Sequence, residues 1–228
     1  MSEGPPAHSF EFVYVADPMC SWCWGFAPAV EQLRDGFNIP IRIVVGGLRP
    51  GESAEKLDDR MRSYLEQTWD HVASRSGQPF DATFLARDDG WVYDTELPAM
   101  AVVTMRQLRP DAELAFFTRL QRAFYAEGID ITDPGTYPQL VAEFISDTQE
   151  FLHAFTGDEA RWAAWNDFST ARSWGIAGFP ALLLRDGDDM SLVTRGFQPA
   201  NTLVPAVANF FVNTCPSDGV VCTVDGYC

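Results

Sequence analysis

Two cysteines separated by two residues, Cys20 and Cys23, follow the apolar, β-prone run 10–15. If the strand ends near Ala16 and a helix starts at Cys20, the first thiol lies where unpaired N–H groups and the helix dipole favour an anion. A free thiol titrates near ~8.5, and this setting lowers the pKa by roughly one to five units. Cys23 lies on the same helix face at about 5–6 Å between Cβ atoms, within reach of a disulfide. The pair predicts reversible thiol chemistry.

The thiol pair opens a strand–helix–strand unit. Helix 20–37 contains Pro28, which removes one N–H and favours a kink. The Ile- and Val-rich run 39–45 then predicts a second strand, which Gly46 and Gly47 end. Two strands joined through a helix are expected to be parallel, with a right-handed crossover.

The middle of the chain has a different pattern, because apolar residues there recur every three or four positions. No strand is expected between residues 50 and 173, and Trp162, Trp165 and Trp174 are assigned to the core of this block. The predicted helices are 53–76, 98–108, 111–126, 138–145 and 158–175.

Sheet character returns near the C-terminus. Residues 179–184 and 191–196 flank an Asp- and Gly-rich turn and predict a β-hairpin. A helix follows, beginning at Pro199 or Thr202 and ending at Asn213. The segment after it contains Cys215, Cys222 and Cys228 and shows no periodicity.

The run Asp-Pro-x-Cys-x-x-Cys-Trp-Gly at residues 17–25 resembles the FrnE-like, predicted disulfide-isomerase branch of the DsbA family of thiol-disulfide oxidoreductases. Stretches 94–99, 120–125 and 128–131 are similar to the family's inserted domain, and residues 171–180 resemble its Gly-Val-x-Gly-x-Pro segment. The resemblance covers roughly residues 10–212. It implies an α/β thioredoxin fold with an inserted helical domain. The expected parts are a thioredoxin-fold N-terminal half (10–50), the helical insertion (51–173), a thioredoxin-fold C-terminal half (174–213) and a cysteine-bearing tail (214–228).

The resemblance also implies roles for particular residues. By this resemblance, Cys20 and Cys23 are the catalytic pair, and Pro180 is a cis-proline that faces them. An X–Pro bond has only a small trans preference, so Phe179 and Pro180 can form a cis turn whose backbone positions a substrate polypeptide. The alternative is that Pro180 simply starts a strand, where a missing N–H does no harm. Trp22 is expected in the substrate groove.

The neighbours of the two cysteines admit further interpretations. The pair encloses Ser21 and Trp22, whereas secreted DsbA members commonly carry histidine and proline there. A less oxidising pair is therefore expected, and the direction of electron flow stays open. Trp24 is expected in the core. Asp17 influences thiol ionisation or, more simply, initiates the Asp-Pro turn.

Metal binding and the tail cysteines offer alternatives. A structural zinc site needs four ligands, and His8, His71 and His153 lie outside any ligand spacing. No metal is therefore expected, although the tail cysteines could complete a set with Cys20 and Cys23. As accessory redox groups, Cys215, Cys222 and Cys228 could instead clamp the last helix, relay electrons to the active pair, or do neither.

Composition narrows the range of partners. The formal charge of −16, from 32 acidic and 16 basic residues, disfavours nucleic acid and anionic membranes. No apolar run reaches the ~18 residues of a membrane span. The first eight residues lack the basic and apolar regions of a secretory signal, which favours a cytoplasmic location. No cofactor is expected beyond a thiol partner such as glutathione or thioredoxin.

The function that the sequence favours is thiol-disulfide exchange or disulfide isomerisation on protein or peptide substrates. One alternative is a glutathione-dependent transferase or isomerase, although serine usually replaces the thiol pair in that class. Another is a redox-sensing interaction protein whose thiol pair changes partner affinity without turnover.

Overall fold

The computed structural model describes residues 9–214. Its first unit is strand β1 (Phe10–Ala16), helix α1 (Ser21–Phe37) and strand β2 (Ile41–Val45). The two strands are parallel and pair from Phe12 with Ile41 to Ala16 with Val45. Successive side chains of β1 point to opposite faces, and both faces are buried, which explains the continuous apolar run.

Helix α1 accommodates Pro28 without ending. Pro28 has no N–H to donate to the carbonyl of Trp24, four residues earlier. The side-chain Nε2 of Gln78 donates to that carbonyl instead, at 3.1 Å. A side chain from outside the helix thus replaces the missing backbone hydrogen bond, and α1 continues to Phe37.

In the sequence, a mainly helical segment lies between β2 and the two C-terminal strands of the sheet. Its elements are strand β3 (Glu55–Lys56), helix α2 (Asp59–Ser76), strand β4 (Val92–Tyr93), and helices α3 (Glu96–Leu108), α4 (Glu113–Ala126), α5 (Tyr137–Val141), α6 (Thr148–Phe155) and α7 (Asp158–Ser173). Four short 3-10 helices connect them, at Gly51–Ser53, Ala82–Ala86, Pro110–Ala112 and Pro134–Thr136.

The chain then returns to the sheet. Strands β5 (Ala181–Asp186) and β6 (Asp189–Arg195) form the predicted hairpin, and helix α8 (Ala200–Thr214) follows. Strand β5 pairs antiparallel with β1, which gives the strand order β2-β1-β5-β6. This mixed sheet with its helices confirms the thioredoxin fold with a helical insertion.

The helical segment departs from the sequence prediction in four places, one of which is that α5 ends at Val141 and not at Ile145. The prediction of no strand is wrong, because β3 and β4 pair antiparallel through two residues each. Helix α2 begins after Asp58, whose side chain caps it by accepting from Met61 N, and not at Ser53. Helix α6 was not predicted. Strands of two residues and a helix of two turns are too short for their apolar residues to show a clear periodic pattern.

Carboxylates from two helices cover the edge of β2 that pairs with no other strand in the described part of the chain. Asp167 of α7 accepts a hydrogen bond from Val45 N at 3.1 Å, and Glu113 of α4 accepts one from Ile43 N at 3.4 Å. Arg106 of α3 pairs with Asp167 at 2.9 Å. Burial raises the pKa of Glu113 to about 7, against the opposing effect of Arg106. These contacts satisfy edge N–H groups and fix the insertion to the sheet.

Candidate active site

Cys20 and Cys23 lie at the start of α1. Cys20 is the N-cap residue, and its carbonyl accepts hydrogen bonds from Cys23 N at 2.9 Å and Trp24 N at 3.1 Å. Both thiols are free. Cys20 retains 6% of its surface exposed, whereas Cys23 has none. The first thiol is therefore the one that a substrate can approach.

The cis-proline turn lies against the first thiol. The Phe179–Pro180 peptide bond is cis, as the sequence pattern predicted. The Cys20 thiol donates to the carbonyl oxygen of Phe179, with Sγ and O 3.7 Å apart. Residues that are 159 positions apart in sequence thus meet at one end of the sheet. Their proximity is established, while the substrate-positioning role of the turn stays a prediction.

Gly46, directly after β2, allows this close approach. The Phe179 ring packs on its backbone so tightly that a Cβ at Gly46 would lie 2.1 Å from the nearest ring carbon. Gly46 N in turn donates to Ala16 O at 2.7 Å, which ties the loop to the end of β1. The glycine pair was predicted only to end the strand, and its contact with the proline turn was missed.

Cys23 lies in surroundings that keep its thiol protonated. Burial raises the pKa of Cys23 well above its usual value, and the neighbouring Cys20 thiol raises it further. A hydrogen bond from the Asp17 backbone opposes this rise, while the charge of the Asp17 carboxylate adds to it. The hydroxyl of Tyr14 donates to the Cys23 carbonyl at 3.4 Å and holds the first helical turn in place.

Asp17 is completely buried and joins two loops. Its carboxylate accepts hydrogen bonds from Met19 N at 2.9 Å and from Leu48 N at 2.8 Å. The first of these contacts is the turn that the Asp-Pro pattern predicted. Burial raises the pKa of Asp17 to about 6, although both backbone donors, Thr95 and Arg49 lower it. The contact with the loop after β2 had no signal in the local sequence.

Tyr93 of β4 is a site residue that sequence reasoning missed. Its hydroxyl donates to the carbonyl of Met19, immediately before the first thiol. The guanidinium of Arg49 lies over the Tyr93 ring, 4.9 Å from its centre. Burial raises the pKa of Tyr93, so the hydroxyl stays a donor. A tyrosine in a two-residue strand of the insertion thus holds the backbone immediately before Cys20.

The two tryptophans of the motif differ in exposure. Trp24 is buried, as predicted, and its indole N–H donates to Pro79 O at 3.0 Å. Trp22 is partly buried and packs between His71, with ring centres 5.4 Å apart, and Phe197, at 5.5 Å. This position beside the thiols is compatible with a groove, and the substrate-binding role of Trp22 stays a prediction.

Two other tryptophans are not where the sequence predicted. Trp162 and Trp165 of α7 are 71% and 37% exposed, so their assignment to the core is wrong. The buried face of α7 is formed by Ala160, Ala163, Ala164, Asp167, Phe168 and Ala171. The spacing of three suited a helical face, but small alanines fill the side that contacts the sheet. Trp174 is partly buried and packs against the apolar cluster that includes Val15, Val44 and Ala171.

The remaining predictions concern a metal site and the cysteines of the C-terminal tail. Within residues 9–214, no group of three or more His, Cys, Asp and Glu side chains is arranged to hold a metal ion. Cys215, Cys222, Cys228 and His8 lie outside the described residues, so the clamp, relay and zinc alternatives stay untested. None of the described helices has the length and apolar character needed to cross a membrane.

Among solved structures, the chain resembles a Nitrosomonas europaea protein provisionally described as a protein disulfide isomerase. The two share 32% identity and a TM-score of 0.81, over 90% of this chain and 98% of that one. The cytosolic disulfide reductase DsbM of Pseudomonas aeruginosa shares 24% identity and a TM-score of 0.74, over 88% and 98% of the two chains. DsbM has also been solved with glutathione.

Among curated proteins, the chain is similar to the ClpXP adapter protein SpxH of two Bacillus species. Identity is 23% over 182 residues in B. subtilis and 25% over 195 residues in B. licheniformis. The chain spans 59% and 63% of the length of these relatives. No family model matches the sequence.

Proposed function

The chain belongs to the DsbA-like family of thioredoxin-fold thiol-disulfide oxidoreductases, and we propose that it acts on disulfides of protein substrates through Cys20 and Cys23. The observation that carries this proposal is the approach of the Cys20 thiol to Phe179 O, at 3.7 Å. A substrate backbone lying along the Phe179–Pro180 turn would bring its own sulfur to Cys20, the more accessible of the two thiols.

The proposed reaction has two exchange steps. The Cys20 thiolate attacks one sulfur of the substrate disulfide, a mixed disulfide forms, and the other substrate sulfur leaves as a thiolate that takes up a proton. Cys23 then loses its proton and attacks Cys20 Sγ, which releases the second substrate thiol and leaves a Cys20–Cys23 disulfide. In the isomerase direction, a different thiolate of the substrate attacks the substrate sulfur of the mixed disulfide before Cys23 acts, so a new substrate disulfide forms and Cys20 leaves as a thiolate.

A thiol reductant completes the cycle by reducing the Cys20–Cys23 disulfide. Glutathione or thioredoxin has the required chemistry, and the DsbM structure with glutathione supports a small thiol in this role. A cytoplasmic location belongs to the same proposal, because reducing partners of this kind act there and DsbM is described as cytosolic. The glutathione-dependent transferase alternative is disfavoured because both thiols are present.

The decisive experiment compares the wild type with Cys20→Ser in insulin reduction and in the refolding of scrambled ribonuclease. We expect Cys20→Ser to abolish both activities, while Ser21→Ala, a control that leaves both thiols intact, retains them. Full turnover by Cys20→Ser would contradict the proposal.

A second candidate is a redox-sensing interaction protein, which the similarity to ClpXP adapters favours. In that case, oxidation of Cys20 and Cys23 would change affinity for a partner, and turnover would be absent. An insulin assay with dithiothreitol separates the two. A catalyst accelerates reduction at substoichiometric concentration, whereas a sensor leaves the rate at that of dithiothreitol alone.

A further inference from the structure

The two exposed tryptophans of α7 lie at the same end of the molecule as the thiols. Adjacent exposed aromatic residues on a folded chain are uncommon unless they serve an interaction. The second half of α7 follows β2 toward its start, since Asp167 accepts from Val45 N and Ala171 packs in an apolar cluster with Val44 and Val15. The first half, with Trp162 and Trp165, therefore extends past the end of β2 where the active site lies.

A continuous series of contacts joins the first thiol to Trp165. The Phe179 carbonyl meets Cys20, and the Phe179 ring covers Gly46. The adjacent glycine, Gly47, is covered by the ring of Phe168, which would lie 2.8 Å from a Cβ there. Phe168 contacts Trp165 edge to face, with ring centres 5.4 Å apart.

The exposed part of α7 at the end of this series of contacts is held in place. Trp165 lies over Gly51, since its Cζ2 would be 3.6 Å from a Cβ at that glycine. Arg161, next to Trp162 in α7, pairs with Glu96 at the start of α3 at 2.5 Å. The helix that presents the tryptophans is therefore fixed to the neighbouring helix, and the surface is preformed.

The charges around the tryptophans are mainly negative. Asp158 and Glu159 precede Trp162 by four and three residues, so they lie on the same side of α7. Glu52 follows Gly51, which Trp165 covers. All three carboxylates are exposed, and none of them has an ion-pair partner among residues 9–214. An apolar surface with an acidic border favours a ligand that combines apolar and basic side chains.

We propose that Trp162 and Trp165, here called the tryptophan face, bind an unfolded, apolar segment of the substrate that carries lysine or arginine, while the substrate disulfide lies at Cys20. This inference rests on the proposed action on protein disulfides. Alternate side chains of an extended segment point to one side about 6.6 Å apart, and residues three apart on a helix are about 5–6 Å apart. Two side chains of one extended segment can therefore contact both tryptophans.

The kinetic test compares a protein disulfide, which is long enough to reach the tryptophan face, with a small disulfide that is not. Scrambled ribonuclease is unfolded and basic, whereas bis(2-hydroxyethyl) disulfide reaches only the thiols. We expect Trp162→Ser to lower kcat/KM for ribonuclease about fivefold, and the double variant with Trp165→Ser about tenfold or more. Turnover of the small disulfide should be unchanged. Trp162→Phe should restore most of the loss, and Leu192→Ser, at a 51% exposed residue of β6, is the matched control.

A binding test uses cysteine-free peptides and is independent of turnover. A peptide of alternating Phe and Lys should bind the wild type more tightly than one of alternating Phe and Glu, and Trp162→Ser should lose this preference. Because Trp162 is mostly exposed, the variant is expected to keep the wild-type circular dichroism spectrum and Tm.

Three results would overturn the inference. One is an equal loss of kcat/KM on both disulfides, and another is unchanged kinetics and peptide binding in Trp162→Ser. The third is a dimer in sedimentation analysis that Trp162→Ser separates, because the face would then bind a second copy of the chain. Failure of the wild type to turn over either disulfide would instead contradict the proposed function, and the peptide titration would still decide the binding role.

Discussion

Gly46→Ala tests the contact that brings the proline turn to the thiol. An alanine Cβ would lie 2.1, 2.2 and 2.7 Å from three carbons of the Phe179 ring, and nonbonded carbons do not approach so closely. Either the ring or the loop after β2 must therefore move. Overpacking of this kind costs about 1–3 kcal/mol in free energy of unfolding, which lowers the Tm of a chain of this length by roughly 2–12 °C.

The same displacement is expected to impair activity. Movement of Phe179 carries its carbonyl away from Cys20 Sγ, and misplacement by about 1 Å can lower a rate by up to ~100-fold. We expect at least a tenfold loss of kcat/KM in insulin reduction by Gly46→Ala. Gly178→Ala is the matched control, because a Cβ there has no neighbour within 4 Å and the backbone φ is ordinary.

A double-mutant cycle isolates the steric cause. In a Phe179→Ala background the ring is absent, so Gly46→Ala should cost little stability, and the coupling free energy should be about 1–3 kcal/mol. Urea denaturation at pH 7 measures all four proteins. An equal cost of Gly46→Ala with and without the ring would refute the reasoning, because the contact with Phe179 would then not be the cause.

Three further predictions concern buried groups. The raised pKa of Asp17, about 6 against 3.8, means that its stabilising contribution is present below pH 4 and lost as pH rises through about 6. The free-energy difference between the wild type and Asp17→Asn, from urea denaturation, should thus shift by about 2 kcal/mol between pH 4 and pH 7.5, and a constant difference would contradict this. Arg106→Leu leaves buried carboxylates unpaired and should cost about 3–5 kcal/mol in a thermal or urea melt, whereas the exposed Arg34→Leu should cost less than ~1 kcal/mol. In the reduced protein at pH 7, iodoacetamide should modify Cys20 before Cys23, as peptide mass spectrometry can show; modification of Cys23 first would be the contrary result.

The sequence predicted the features that depend on local patterns. The strand from Phe10 to Ala16, the position of Cys20 at the start of α1 and the hairpin after Pro180 follow from apolar patterning and turn chemistry. The cis-proline turn was predicted because a second motif accompanied the cysteines.

The features that were missed depend on long-range packing. Tyr93 supports the thiol turn from a strand of two residues, and Asp17 bonds to Leu48 after the next strand. Trp162 and Trp165 share a helical stripe that resembled a core face, but the alanines of α7 pack closer to the sheet. Periodicity shows that a helix has two faces, and the size of neighbouring side chains decides which one is buried.

The most direct test of the central claim is to trap the mixed disulfide. Cys23→Ser removes the resolving thiol, so incubation with scrambled ribonuclease should accumulate a covalent adduct, visible by non-reducing electrophoresis and removed by dithiothreitol. Peptide mass spectrometry should place the bond at Cys20, and Cys20→Ser should form no such adduct. An adduct on another cysteine, or equal amounts in both variants, would contradict the assignment of Cys20 as the attacking thiol and Cys23 as the resolving one.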